Sequence, residues 1–188
     1  MLKFNQKVVP TVILNDSFGC IPITSILTYL DNLTCNVSII DIKNTFMMSE
    51  ELIIFLNYII KSPKLQHLEV LIINTVYDEF IWTQYLFTLL KKQSFKFLEC
   101  IHNKQLINIL KIGKTALDNW FDISNKIIFI SNLNIYKKFI QNLIDVQLIN
   151  TNWLNNYLIY KKLKNSIVLQ QIHIITGDSD SDFDSDSD

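Results

Sequence analysis

The stretch VSIIDIKNTFMMSEELIIFLNYII (residues 37–60) decides the fold class. Four of its first six residues are β-branched and apolar, which is typical of a strand. After residue 47 the apolar residues recur at helical spacing instead, and four of them share one helical face: Leu52, Phe55, Leu56 and Ile59. A strand that runs into an amphipathic helix predicts an α/β fold, with a small sheet packed against helices.

The flanking sequence continues this mixed pattern. Residues 8–23 contain a branched run, a turn-forming NDSFG segment and a second extended run, which together predict a β-hairpin. Residues 70–76 form a further candidate strand. Helical spacing dominates residues 82–121 and 139–163, so the second half of the chain is predicted to be mostly helical. Two branched segments in that half are candidate strands: residues 127–130 and 167–175.

The composition suits one globular unit with an acidic appendage. The chain has 188 residues, of which 49% are hydrophobic, and this is enough for a sizeable core. Residues 177–188 contain six Asp and no base, so a net charge of −1 leaves about +5 on the body. That mild excess does not by itself indicate nucleic-acid binding. The tail cannot bury enough apolar surface to offset its ordering entropy, and it is predicted to be disordered.

Cysteine usage and the N-terminal sequence predict an intracellular protein. Cys20, Cys35 and Cys100 are odd in number and widely separated, and the N-terminus lacks the apolar segment of a signal peptide. A reducing compartment, cytoplasmic or nuclear, fits these features best. Lys, Asn or Gln interrupts each apolar run before it reaches the roughly 18 residues of a membrane span. The chain is therefore expected to be soluble.

The motifs for catalysis, metal binding and cofactor binding are incomplete. Gly113-Lys114-Thr115 resembles the end of a phosphate-binding loop, but that loop needs a glycine where this chain has Asn108. The three histidines stand apart from one another and from any Cys pair, so they do not have zinc-ligand spacing. Residues 65–74 match one leucine-rich-repeat register, but one copy does not make a solenoid. We expect no enzymatic activity, no metal and no cofactor.

Five segments, taken in chain order, carry a family resemblance. They are VILNDSFGCIPI at 12–23, the strand, turn and helix of 40–59, DEF followed by LFTL within 78–89, INILKIGKT at 107–115, and WFDISN at 120–125. In this order and at this spacing they resemble the S-phase kinase-associated (Skp) adaptors, which join F-box proteins to cullin ubiquitin ligases. The resemblance covers residues 8–125.

The resemblance implies a fold and a function. The fold would be a BTB/POZ core over residues 1–100, a helical region over 101–176 whose first part grips the F-box, and the tail over 177–188. The function would be that of a non-enzymatic adaptor in the protein ubiquitination pathway, which links an F-box-type substrate receptor to a cullin. The implied cullin-facing residues are Ser94 and Phe95. The implied F-box-facing residues are Trp120, Phe121 and Ile123.

Two other functions stay open at this point. Lys92, Gln93 and Ser94 depart from the family at the cullin-facing surface, which favours a BTB-fold oligomerisation or decoy module without a cullin. A lysine-bearing body with an acidic tail would instead suit a nucleic-acid-associated regulatory protein. The alternation of Asp and Ser in the tail favours phosphorylation of its serines by acidophilic kinases. The alternative is a tail that only increases solubility. The candidate phosphorylation sites are Ser179, Ser181, Ser185 and Ser187.

Overall fold

The structure is a computed structural model. It describes residues 11–15, 21–45, 47–73, 83–101, 104–130, 133–166 and 172–176. The acidic tail lies outside the described residues, and so do its predicted disorder and its four candidate phosphorylation sites: Ser179, Ser181, Ser185 and Ser187.

A parallel sheet forms the centre of the fold. Its strands are β1 (Thr11–Asn15), β2 (Ile39–Asp41), β3 (Val70–Ile73), β4 (Phe97–Ile101), β5 (Ile127–Ile130) and β6 (Ile172–Thr176). They lie in the order β5-β4-β3-β2-β1-β6, and every pair is parallel. From β1 to β5 each strand is added beside its predecessor, and β6 returns to the free side of β1. This architecture confirms the predicted α/β class.

In the described ranges, the strands are connected by seven α-helices: α1 (Ile23–Asn32), α2 (Ser49–Lys61), α3 (Thr83–Lys91), α4 (Lys104–Ala116), α5 (Trp120–Ser124), α6 (Leu133–Asp145) and α7 (Asn152–Ser166). Helices α1 to α6 contribute side chains to the larger core cluster, on the first face of the sheet. Helix α7 begins in that cluster and then covers the second face. Both faces are therefore buried, which explains why the strands read as nearly continuous apolar runs.

The in-register pairing aligns equivalent side chains in rows across the sheet. One row on the first face is apolar throughout and buried: Val12, Ile40, Leu71, Leu98 and Ile127. A neighbouring row on the second face includes two charged residues, Asp41 and Glu99, with Ile72 between them. The second face is thus the chemically mixed one.

Lysines cap the carboxyl ends of the first three helices. Lys64 donates to a carbonyl in the last turn of α1, Lys92 to that of Ile59 at 3.3 Å, and Lys126 to that of Leu90 at 2.7 Å. Each lysine comes from the strand-helix unit that follows the helix it caps. Burial lowers the pKa of both Lys92 and Lys126, so desolvation offsets part of the gain from these hydrogen bonds.

Several sequence predictions are confirmed. The strand predicted in residues 37–42 contains β2, the one predicted at 70–76 begins with β3, and the one at 127–130 is β5. Helix α2 buries the four residues predicted to share its face: Leu52, Phe55, Leu56 and Ile59. Glu51 accepts a hydrogen bond from the Met48 backbone N–H at 2.9 Å, which fixes the start of this helix.

Three other predictions are corrected. The opening hairpin is wrong, because Ile21 and Pro22 are not in a strand, α1 begins at Ile23, and β1 pairs in parallel with β2 and β6. Strand β4 was missed within a segment predicted to be helical, because a five-residue apolar run has no distinguishing period. The predicted helix at 139–163 is broken between α6 and α7, where Gln147 adopts a φ of 57°.

Candidate protein-binding surfaces

The residues assigned to partner contacts by resemblance divide between the core and the surface. Phe95, Trp120 and Ile123 are 1%, 3% and 2% exposed, so their side chains are packed inside the chain. Ser94 is half-buried, and Phe121 is 40% exposed. Of these five residues, Ser94 and Phe121 are the two that a partner can contact without local unfolding.

The core position of Trp120 explains the phosphate-loop-like motif at residues 113–115. The Trp120 indole N–H donates to the carbonyl of Leu148 at 2.7 Å, and its ring meets Phe87 edge-on with 6.0 Å between centroids. A Cβ on Gly113 would lie 2.0 Å from Cζ3 of that ring. Gly113, in α4, therefore makes room for the buried Trp120 of α5, and Lys114 and Thr115 continue helix α4.

The buried carboxylates are held in ion pairs. On the second face of the sheet, Asp41 pairs with Lys43 at 3.1 Å and Glu99 with Lys164 at 2.7 Å. Ile72 separates the two acids, so their strands lie two spacings, roughly 10 Å, apart. They do not converge on a common reacting atom. Among the described residues, no group of three or more His, Cys, Asp or Glu is placed to hold a metal ion.

An open groove of about 400 Å³ runs between α1 and α2. Its lining combines apolar and polar side chains, which include Leu27, Asp31, Ile54, Asn57, Tyr58 and Lys61. Ile54 is 46% exposed and forms an apolar wall of the groove. Because the groove is largely open to solvent, it suits a helix or an extended peptide better than a small molecule that must be enclosed.

The polar side of the groove is pre-organised. The Tyr58 hydroxyl donates to the Asp31 carboxylate at 2.6 Å and so links α2 to α1. Burial, together with this hydrogen bond, raises the pKa of Tyr58 and keeps the phenol protonated. Lys64 donates to the Asp31 backbone carbonyl from below the same helix end. The groove therefore keeps its shape without a partner, which reduces the entropy cost of binding.

One side of α7 is fixed to the sheet. Trp153 stacks on Phe129 with 4.5 Å between ring centroids, and its indole N–H donates to the Ile127 carbonyl of β5 at 2.8 Å. Further along α7, Tyr160 meets Phe97 edge-on at 5.2 Å. The helix thus wraps around the β5 edge and continues across the second face, where Tyr160 and its neighbours complete the smaller core cluster.

The other side of α7 carries exposed apolar residues. Leu154, Leu158 and Ile159 are 45%, 55% and 56% exposed. Leu154, Leu158 and Lys161 are spaced at i, i+4 and i+7, so they form one stripe along the helix. Lys161 and Lys162 are exposed as well, and α7 contains no Asp or Glu. We call this stripe with its lysines the outward face of α7: it is apolar at one end and cationic at the other.

Neither surface was predicted from the sequence. The groove depends on the contact between α1 and α2, which joins Asp31 to Tyr58 across 27 positions of the chain. The sequence of α7 did contain a local indication of the outward face, because Leu154 and Leu158 do not share a helical side with Trp153 and Tyr160. A helix with apolar residues on both sides has two surfaces to cover.

Comparison with known proteins identifies no relative of this chain. No protein-family model, no curated protein and no solved structure matches this chain. Within the described part of the chain, no helix is both long enough and apolar enough to cross a membrane.

Proposed function

We propose that this chain is a non-enzymatic adaptor that binds two protein segments on opposite sides of its sheet. The observation that carries the proposal is the groove between α1 and α2, which combines an exposed apolar wall with a pre-formed polar side. Apolar anchors ringed by satisfied polar groups are what protein-binding sites use. The outward face of α7 is the second surface. Since α1 and α2 pack on the first face and α7 on the second, two partners can be held together.

The groove is tested with a matched pair of variants. Ile54→Asp places a charge on its apolar wall, whereas Met48→Asp places one at the exposed start of the same helix, outside the groove. Both positions are exposed, and Asp is a favoured residue at the N-cap position that Met48 occupies, so we expect neither substitution to unfold the chain. Partners captured by the wild-type chain and by Met48→Asp should be lost with Ile54→Asp. Equal capture by all three proteins would contradict a binding role for the groove.

In its narrower form, the proposal follows the resemblance to the Skp family. The first partner is then an F-box protein, the second is a cullin, and the core is of the BTB/POZ type. The order and spacing of the five segments support this form. The missing hairpin and the parallel pairing of all described strands count against it. Ser94 and Phe121 are the assigned residues that are accessible for these contacts.

Size-exclusion chromatography tests the narrower form. The purified chain is mixed separately with an F-box domain and with a cullin N-terminal domain. Co-elution with both supports the adaptor, and Phe121→Ala should then weaken the F-box complex alone. Co-elution with the F-box domain alone makes the chain a decoy. Co-elution with neither removes the Skp assignment and leaves the groove experiment to decide the broader proposal.

A further inference from the structure

We infer that the acidic tail, residues 177–188, docks on the outward face of α7. This face holds the two leucines, Leu154 and Leu158, and continues into Lys161 and Lys162. In the described structure it is exposed, whereas the opposite side of α7 is packed on the sheet. The tail is the segment of this same chain whose chemistry fits it.

Charge complementarity is the first argument. Helix α7 carries three lysines and no acid, and Lys164 is already paired with Glu99, which leaves Lys161 and Lys162 facing solvent. The tail carries six Asp and no base, with Phe183 as its single aromatic residue. Six carboxylates opposite two lysines form a multiple contact that an isolated surface ion pair does not provide. The apolar stripe beside the lysines offers Phe183 a place to pack.

The position and length of the tail are the second argument. The tail follows β6 directly, at the edge of the sheet. The ion pair between Lys164 and Glu99 places the end of α7 over β4, which is four strand spacings, about 19 Å, from β6. A twelve-residue segment reaches up to about 40 Å when extended. The tail is therefore long enough to cross the second face and reach Lys161 and Lys162 within one chain.

The docking depends on charge and on the length of the tail, and it does not need a partner. Phosphorylation at the candidate serines would add roughly −1.5 to −2 charges per site and tighten the contact. The contact would then respond to acidophilic kinases through electrostatics alone.

Paramagnetic relaxation in the full chain tests the docking. A spin label is attached to Ser185→Cys after Cys20 and Cys35 are replaced by serine, while Cys100 is buried and stays unlabelled. We expect strong broadening of the amide signals of α7, several times that of α1 and α2 on the other side of the sheet. Raising the salt from about 0.05 M to about 0.5 M should reduce it, because exposed charges are then screened.

Charge reversals supply the controls. Lys161→Glu with Lys162→Glu should abolish the selective broadening of α7. Lys91→Glu with Lys111→Glu, at exposed sites on the helices of the first face, should leave it unchanged. Broadening that is absent, or equal over α1, α2 and α7, would overturn the inference. So would equal broadening of α7 in chains that carry no spin label but are mixed with spin-labelled chains, because a second copy would then supply the tail. None of these outcomes depends on whether the groove binds a partner.

Discussion

Substituting Gly113 by alanine should destabilise this protein, against the usual effect of removing a glycine from a helix. In a helix interior, alanine is favoured over glycine by about 1 kcal/mol. Here the new methyl group would lie 2.0 Å from Cζ3 of Trp120, far inside ordinary contact distance. The Trp120 ring cannot move away easily, because its N–H donates to the Leu148 carbonyl and the ring packs edge-on against Phe87. Overpacking of a core costs about 1–3 kcal/mol, and this contact belongs at the upper end.

The net expectation for Gly113→Ala is a loss of about 2 kcal/mol in the free energy of unfolding. Urea denaturation followed by circular dichroism measures it, and an unchanged slope with a lower midpoint would assign the loss to stability. The control is the same substitution in a Trp120→Leu background, where the smaller side chain removes the clash. There Gly113→Ala should be neutral or stabilising. A Gly113→Ala protein at least as stable as the wild type would refute the packing argument.

Three further predictions concern charged or ionisable groups at the edge of the core or inside it. Lys164→Met should cost about 2–3 kcal/mol, because it leaves the Glu99 carboxylate buried without its partner, and adding Glu99→Gln should restore part of the loss; no restoration would contradict the pair. Burial lowers the pKa of Lys126 in the folded chain, so between that pKa and about 10.4 the unfolded chain binds more protons than the folded chain. The free energy of unfolding of the wild type, relative to that of Lys126→Met, should therefore rise with pH in this window. A difference that does not change with pH would contradict the lowered pKa. Burial also raises the pKa of the Cys100 thiol, so with the other cysteines replaced by serine, a thiol reagent should modify it no faster than the chain unfolds.

The local part of the fold could be predicted from the sequence, and the pairing of its strands could not. Branched runs marked β2, β3 and β5, and helical spacing marked α2, because each signal lies within about a dozen residues. The opening hairpin failed because the turn residues after β1 suggested an antiparallel return, whereas α1 carries the chain back for a parallel pair. Strand β4 was not predicted because its five residues lie between two helical segments and are too few to show a period that differs from the helical one.

The site is less predictable than the fold because its surfaces combine distant residues. The resemblance pointed to Phe95, Trp120 and Ile123, which the structure places in the core. Aromatic and branched residues are conspicuous in a sequence for the same reason that they are buried: they carry the most apolar area. The exposed residues of the groove, such as Ile54, look ordinary in the sequence and gain their meaning from the helix beside them.

The pattern of apolar residues in helix α7 does not reveal that one side of the helix is exposed. Trp153 and Tyr160 need one side of the helix to cover the sheet, while Leu154 and Leu158 place apolar area on another. Together they spread apolar residues around the helix and erase the one-sided pattern that marks a surface helix. A helix that is apolar on both sides normally lies between two layers of protein. The sheet supplies one layer for α7, so its outward face has room for a second layer, and the acidic tail is long enough to reach it.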